Sequence, residues 1–91
     1  MSSETRELLI VNKRGLHARA SAKFVQTVGQ FDAEVNVTRD GMTGGGMSIM
    51  GLMMLAASPG CSVEISASGP QATDVLDALE RLVAEKFGEE A

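Results

Sequence analysis

The sequence predicts an α+β fold, a mainly antiparallel sheet covered on one face by helices, and three observations carry that reading. Strand-like segments alternate apolar and polar residues, as expected of strands with one wet face, rather than forming the continuous apolar runs of a doubly covered parallel sheet. Helical and strand patterns follow one another as strand, helix, strand, strand, helix, strand, helix. Finally, 91 residues make one domain, spanning residues 1–91, with room for one core and a buried share of roughly 60% of the unfolded chain's surface.

Each element has a local cause. The run Leu8-Leu9-Ile10-Val11 has strand length, is ended by Asn12, and reads as a strand buried within the sheet. Ser21, Phe24, Val25 and Val28 recur at helical spacing, which predicts a helix over residues 18–28 with Gly29 as its stop. Residues 33–38 alternate without a break, and Asp40-Gly41 supplies hairpin chemistry leading into a short third strand over 42–44.

Beyond the pliable Gly44-Gly45-Gly46, Ser48 is a natural N-cap for a short helix through Ile49, Met50, Leu52, Met53 and Met54. Pro59-Gly60 breaks the chain, and Val63, Ile65 and Ala67 alternate with polar residues as a fourth strand. From Gln71, the positions Ala72, Val75, Leu76, Leu79, Leu82, Val83 and Phe87 trace one face of a long helix, with Asp77 and Arg81 paired outside and Gly88 closing it.

Composition excludes several function classes. A net charge of −4, with acids near both ends, argues against nucleic acid. No signal peptide and no run of membrane-spanning length appear, so no membrane insertion is expected. The single cysteine, Cys61, has no disulfide partner and no metal-ligand spacing with the single histidine; it fits a reduced, cytoplasmic setting and is assigned no role. The core aromatics are three Phe only, supplemented by six Met, which makes for adaptable packing.

The only histidine, His17, lies behind a Gly-Leu turn and ahead of a helix-forming run, among Lys13, Arg14, Arg19 and Lys23. A helix start offers unpaired N–H groups and the positive end of the macrodipole, so an imidazole there stands beside an anion site, with Arg19 as a further phosphate donor. These parts suit a histidine that carries a phosphoryl group. The bland alternatives are a solvated basic helix face and a histidine that merely caps the helix.

Gly15-Leu16-His17-Ala18-Arg19, followed by Ser48-Ile49-Met50-Gly51-Leu52 and then Ser58-Pro59-Gly60, resembles HPr, the histidine-containing phosphocarrier family of the bacterial phosphoenolpyruvate-dependent phosphotransferase system. The resemblance implies an open-faced β-sandwich with strands in the order 1-4-2-3 and three helices on one face. It implies that His17 is phosphorylated on Nδ1 by Enzyme I and passes the group to an Enzyme IIA-type acceptor, with Arg19 stabilising the phosphoryl group. The chain is then a carrier and no enzyme, a monomer that needs no cofactor and no metal. Gly15 lets the backbone approach closely, and small Ala18 leaves a partner room to close over His17.

Ser48 matches the serine that HPr kinase/phosphorylase modifies in some members, and it can serve as an N-cap at the same time. Of the short helix, Leu52 and Leu55 are assigned to the core, while Ile49, Met50 and Met53 either pack inward or form a malleable docking patch with Leu16 and Ala20. Lys13 and Ala20 stand where many members have proline, and Met47 where a polar or basic residue is common. These features resemble the proteobacterial branch, whose relay often serves nitrogen- and carbon-linked regulation rather than sugar uptake. Two other readings stand beside the carrier. One is a purely regulatory interaction module controlled through Ser48. The other is an enzyme using His17 as a base, for which the sequence offers no paired carboxylates and no Cys-His constellation.

Overall fold

Burial alternates along the strands because only one face of the sheet is covered. In the computed structural model, which describes residues 3–89, the elements are β1 (Ser3–Leu9), α1 (Ala18–Val28), β2 (Glu34–Arg39), β3 (Met42–Gly45), α2 (Ile49–Met54), β4 (Ser62–Ser68) and α3 (Ala72–Ala84). The strands form one antiparallel sheet in the order β1-β4-β2-β3. Leu8, Val35, Val37, Val63, Ile65 and Ala67 point from it into a core completed by Phe24 and Val28 of α1, Leu52 of α2, and Val75, Leu76, Leu79 and Val83 of α3. Glu7, Glu34, Asn36, Ser62 and Glu64 occupy the open face.

The expected element order and α+β class are observed, with differences that have physical causes. β1 begins in polar sequence at Ser3 and lies at a sheet edge, and Leu9 and Val11 are exposed at 53% and 41%. The run 8–11 is therefore half-buried, since helices cover one side only. Asp40 and Gly41 both have positive φ, 49° and 79°, as a hairpin turn that follows the strand twist requires. Gly29 caps α1 in right-handed geometry, and the stop comes from the tight turns Gln30 N–H to Thr27 O and Phe31 N–H to Val28 O.

α3 ends at Ala84, short of the residues its apolar stripe suggested. Phe87 reaches the core by another route: Lys86, Phe87 and Gly88 adopt φ of 58°, 54° and 79°, turning the chain back so that Phe87 is 2% exposed. On the outer face of α3, Asp77 bonds Arg6 of β1 at 2.7 Å, with Glu80 at 3.1 Å, in place of the expected pairing to Arg81. A cation from the neighbouring strand reaches between two carboxylates one helical turn apart. No helix among the described residues is long and apolar enough to cross a membrane.

Candidate functional site

The turn between β1 and α1 is held by its own backbone. Gly15 N–H donates to Asn12 O at 3.3 Å, and Leu16 N–H donates to Ala57 O at 3.0 Å. Gly15 has φ +64°, and a Cβ there would stand 2.0 Å from Ala57 O, so only glycine fits between this turn and residue 57. Leu16 is 5% exposed and anchors the turn in the core. Ser21 Oγ–H donates to Leu16 O at 3.2 Å and its N–H to His17 O at 2.8 Å, joining turn to helix.

His17 is the N-cap of α1, with extended backbone (φ −75°, ψ −179°), and its Nδ1 accepts the Arg19 N–H at 3.2 Å. The half-buried ring places Nε2 2.8 Å from Glu89 Oε2. That same oxygen accepts from the Asn12 amide at 2.7 Å, while Oε1 accepts the Arg14 N–H at 3.4 Å. The hydrogen bond from Asn12 holds the Glu89 carboxyl below the usual carboxylate range, helped by His17 and the Arg14 N–H and opposed by burial. An ionised carboxylate only accepts, so Nε2 carries the ring proton and Nδ1 presents its lone pair to the helix N-terminus.

Of the basic residues expected around the histidine, Arg19 is exposed on the first turn of α1, whereas Lys23 donates to Phe87 O at 2.6 Å and serves the returning C-terminal segment. Leu16 and Ala20, at 5% and 0% exposure, face the core and offer a partner no side-chain surface. Ala20 is on the inward side of an amphipathic helix, and Leu16 belongs to the hydrophobic core.

Ser48 Oγ accepts the Gly51 N–H at 2.9 Å, so the residue caps α2 as its sequence suggests. Ile49, Met50 and Met53 are exposed at 41%, 71% and 42%, beside Met54 at 66%, whereas Leu52 and Leu55 are buried. α2 packs against α1, which places this apolar surface on the helix neighbouring the His17 cap. Sequence reasoning missed Glu89 and the role of the Asn12 amide. No local signal marks Glu89, because an apolar Phe87 before Gly88 is also what a helix running on to a glycine stop would show. Among the described residues, no group of three or more His, Cys, Asp or Glu is placed to hold a metal ion.

Residues 4–85 match the family described as PTS HPr component phosphorylation site. The chain is 48% identical over 84 residues to the phosphocarrier protein HPr of Cupriavidus necator, covering 92% of this chain and 94% of that one. It is similar to a crystal structure of HPr from Thermoanaerobacter tengcongensis, with a TM-score of 0.87 and 43% identity over the whole of both chains. An HPr dimer from the same organism is also similar, with a TM-score of 0.76 and 43% identity over 90% of this chain and 94% of that one.

Proposed function

Because this chain belongs to the HPr family, we propose that His17 is the residue on which it carries phosphate, bonded through Nδ1. The protein is a phosphocarrier of the phosphotransferase system, a substrate and donor rather than a catalyst, and its partners are components of that system such as Enzyme I and Enzyme IIA. One observation carries the assignment: Nδ1 of His17 lies at the N-terminus of α1, hydrogen-bonded to the Arg19 N–H. A neutral imidazole nitrogen is a competent nucleophile, and helix-terminal N–H groups favour the oxygens of the group it acquires.

In the proposed step the Nδ1–phosphorus bond forms as the donor's bond to phosphorus breaks, its electron pair staying with the donor. The acceptor domain takes the group by the same displacement. Arg19 neutralises phosphoryl charge during both transfers, from its exposed place on the first turn. Exposed Ile49, Met50 and Met53 form the apolar part of the surface that partners cover. Phosphorylation of Ser48 by HPr kinase/phosphorylase would add about −1.5 to −2 charges at that surface and weaken docking there.

The chain acts in the cytoplasm as a single domain and as a monomer, in the branch serving nitrogen- and carbon-linked regulation. Support for the branch lies in Lys13, Ala20 and Met47 together with the Cupriavidus relative. Sedimentation velocity tests the monomer against the dimer seen for the Thermoanaerobacter protein.

The test of the acceptor is labelling with Enzyme I and phosphoenolpyruvate. Wild type should gain acid-labile phosphate and His17→Ala should gain none while keeping its circular dichroism spectrum. Acid-labile label on the variant would sink the assignment.

A further inference from the structure

The methionines of this chain avoid its core. Met is among the side chains most often buried, yet among the described residues no methionine joins the hydrophobic core, which is built from Leu, Ile, Val, Ala and Phe. Met42, Met47, Met50, Met53 and Met54 are all exposed, and all but Met42 lie within residues 47–54, on α2 and the turn that leads into it. Met50 and Met54 are the most exposed of them. Four residues apart, they share one side of the helix, while Leu52 and Leu55 fasten the other side to the core. A chemical change at Met50 or Met54 therefore leaves the buried packing of α2 in place.

We propose that Met50 and Met54 form a reversible oxidation site, at which hydroperoxides turn the docking face polar and lower its affinity for Enzyme I. The proposal rests on the reading of α2 as part of the surface that Enzyme I covers. In the oxidation, a lone pair of the thioether sulfur attacks the hydroxyl oxygen of the peroxide. The S–O bond forms as the O–O bond breaks, and the departing oxygen keeps that bond's electron pair and takes up the hydroxyl proton, leaving as water or an alcohol. Sulfur loses two electrons, the peroxide gains them, and the product is a sulfoxide. Its oxygen accepts hydrogen bonds from water and is stranded when a partner's apolar surface closes over it. A sulfoxide reductase with a dithiol returns the two electrons, releases the oxygen as water and restores the thioether. Because no described methionine lies in the core, the change reaches docking and spares the fold. Leucine at these positions would supply similar apolar area without this chemistry.

The test uses the full chain carrying Cys61→Ser, since the half-buried Cys61 thiol is the other kind of oxidisable sulfur among the described residues. After treatment with dilute hydrogen peroxide, peptide mass mapping should show Met50 and Met54 oxidised ahead of Met42 and Met53, with the thermal midpoint unchanged. The Kd for Enzyme I should rise by about tenfold, the scale of one polar group buried without a partner, and return to its starting value after treatment with sulfoxide reductases for both epimers. Met50→Gln, in which an amide oxygen stands in for the sulfoxide, should bind more weakly with no oxidant present. In the double variant Met50→Leu, Met54→Leu, treated and untreated protein should bind alike. Unchanged affinity in the fully oxidised parent, or an equal loss in the leucine variant, would overturn the proposal, as would oxidation of Met42 and Met53 first or a loss of affinity that tracks unfolding. Replacing Ile49, Met50 and Met53 together by alanine separates the two readings. Undiminished binding to Enzyme I by that variant overturns the docking surface itself, whereas diminished binding, combined with a parent whose affinity is insensitive to oxidation, overturns the oxidation site alone.

Discussion

At the scale of single residues, the site divides into groups that build the turn and groups proposed to meet the phosphoryl group, and substitutions separate them. Gly15 belongs to the first kind: any Cβ collides with Ala57 O, and the backbone is left-handed. Gly15→Ala should therefore destabilise the fold by about 1–3 kcal/mol or more, read from chemical denaturation, and transfer should fall with it. Arg19 belongs to the second. Its side chain is exposed, so Arg19→Ala should leave the thermal midpoint nearly unchanged while transfer slows by about 10- to 100-fold, the loss of one charge-assisted contact. Loss of stability with intact kinetics would make Arg19 structural. His17 combines both kinds, since the nitrogen that caps the helix is the one with the free lone pair. Phosphorylation at Nδ1, as proposed, would replace that cap, and phosphoryl oxygens are better acceptors for the freed N–H groups than the ring nitrogen they displace.

At the scale of elements, α2 combines a polar cap with an exposed apolar side, and the two make one prediction. Ser48→Asp keeps an oxygen able to accept the Gly51 N–H, so the fold should survive, while the added charge should weaken binding to Enzyme I, less at high salt. Titrating Enzyme I against both proteins at two ionic strengths decides it, and equal affinity at low salt would leave Ser48 as a cap only. Much of the fold was legible because it rests on local rules. The bounds of α1 followed from the spacing of Phe24 and Val28, the hairpin from Asp40-Gly41, and α2 from Ser48. What escaped depends on distant partners. Arg6 and Asp77 meet only because α3 crosses β1. Leu16 and Ala20, expected in the docking patch from their closeness to the histidine in sequence, are sent inward by side-chain direction at the helix start. Glu89 was invisible because two residues other than glycine, Lys86 and Phe87, take left-handed backbone there. Residue preferences give no warning of that.

Across the whole molecule, contacts between remote segments give acid a defined effect. The Glu89 carboxyl ionises more readily when folded than in the unfolded chain, so its contribution is fully present above the unfolded value, about 4.3 for glutamate, and is lost as pH falls through the lower folded one. The stability difference between wild type and Glu89→Ala should thus hold steady around neutrality and shrink on acidification below the usual carboxylate range, measured by urea denaturation across pH. A difference that grows in acid would contradict the pairing. The strand order has a consequence in time as well. β1 hydrogen-bonds along its full length to β4, and the whole of α1, β2, β3 and α2 lies between them in sequence. At about 5–20 residues per second, a ribosome takes several seconds to make that interval, and until then β1 waits without a partner. The polar side chains Ser3, Thr5 and Glu7 on its outer face keep the waiting strand from sticking to its neighbours. Leu16 likewise waits for Ala57, so a nascent chain stays blind to its phosphate donor until most of it has left the ribosome.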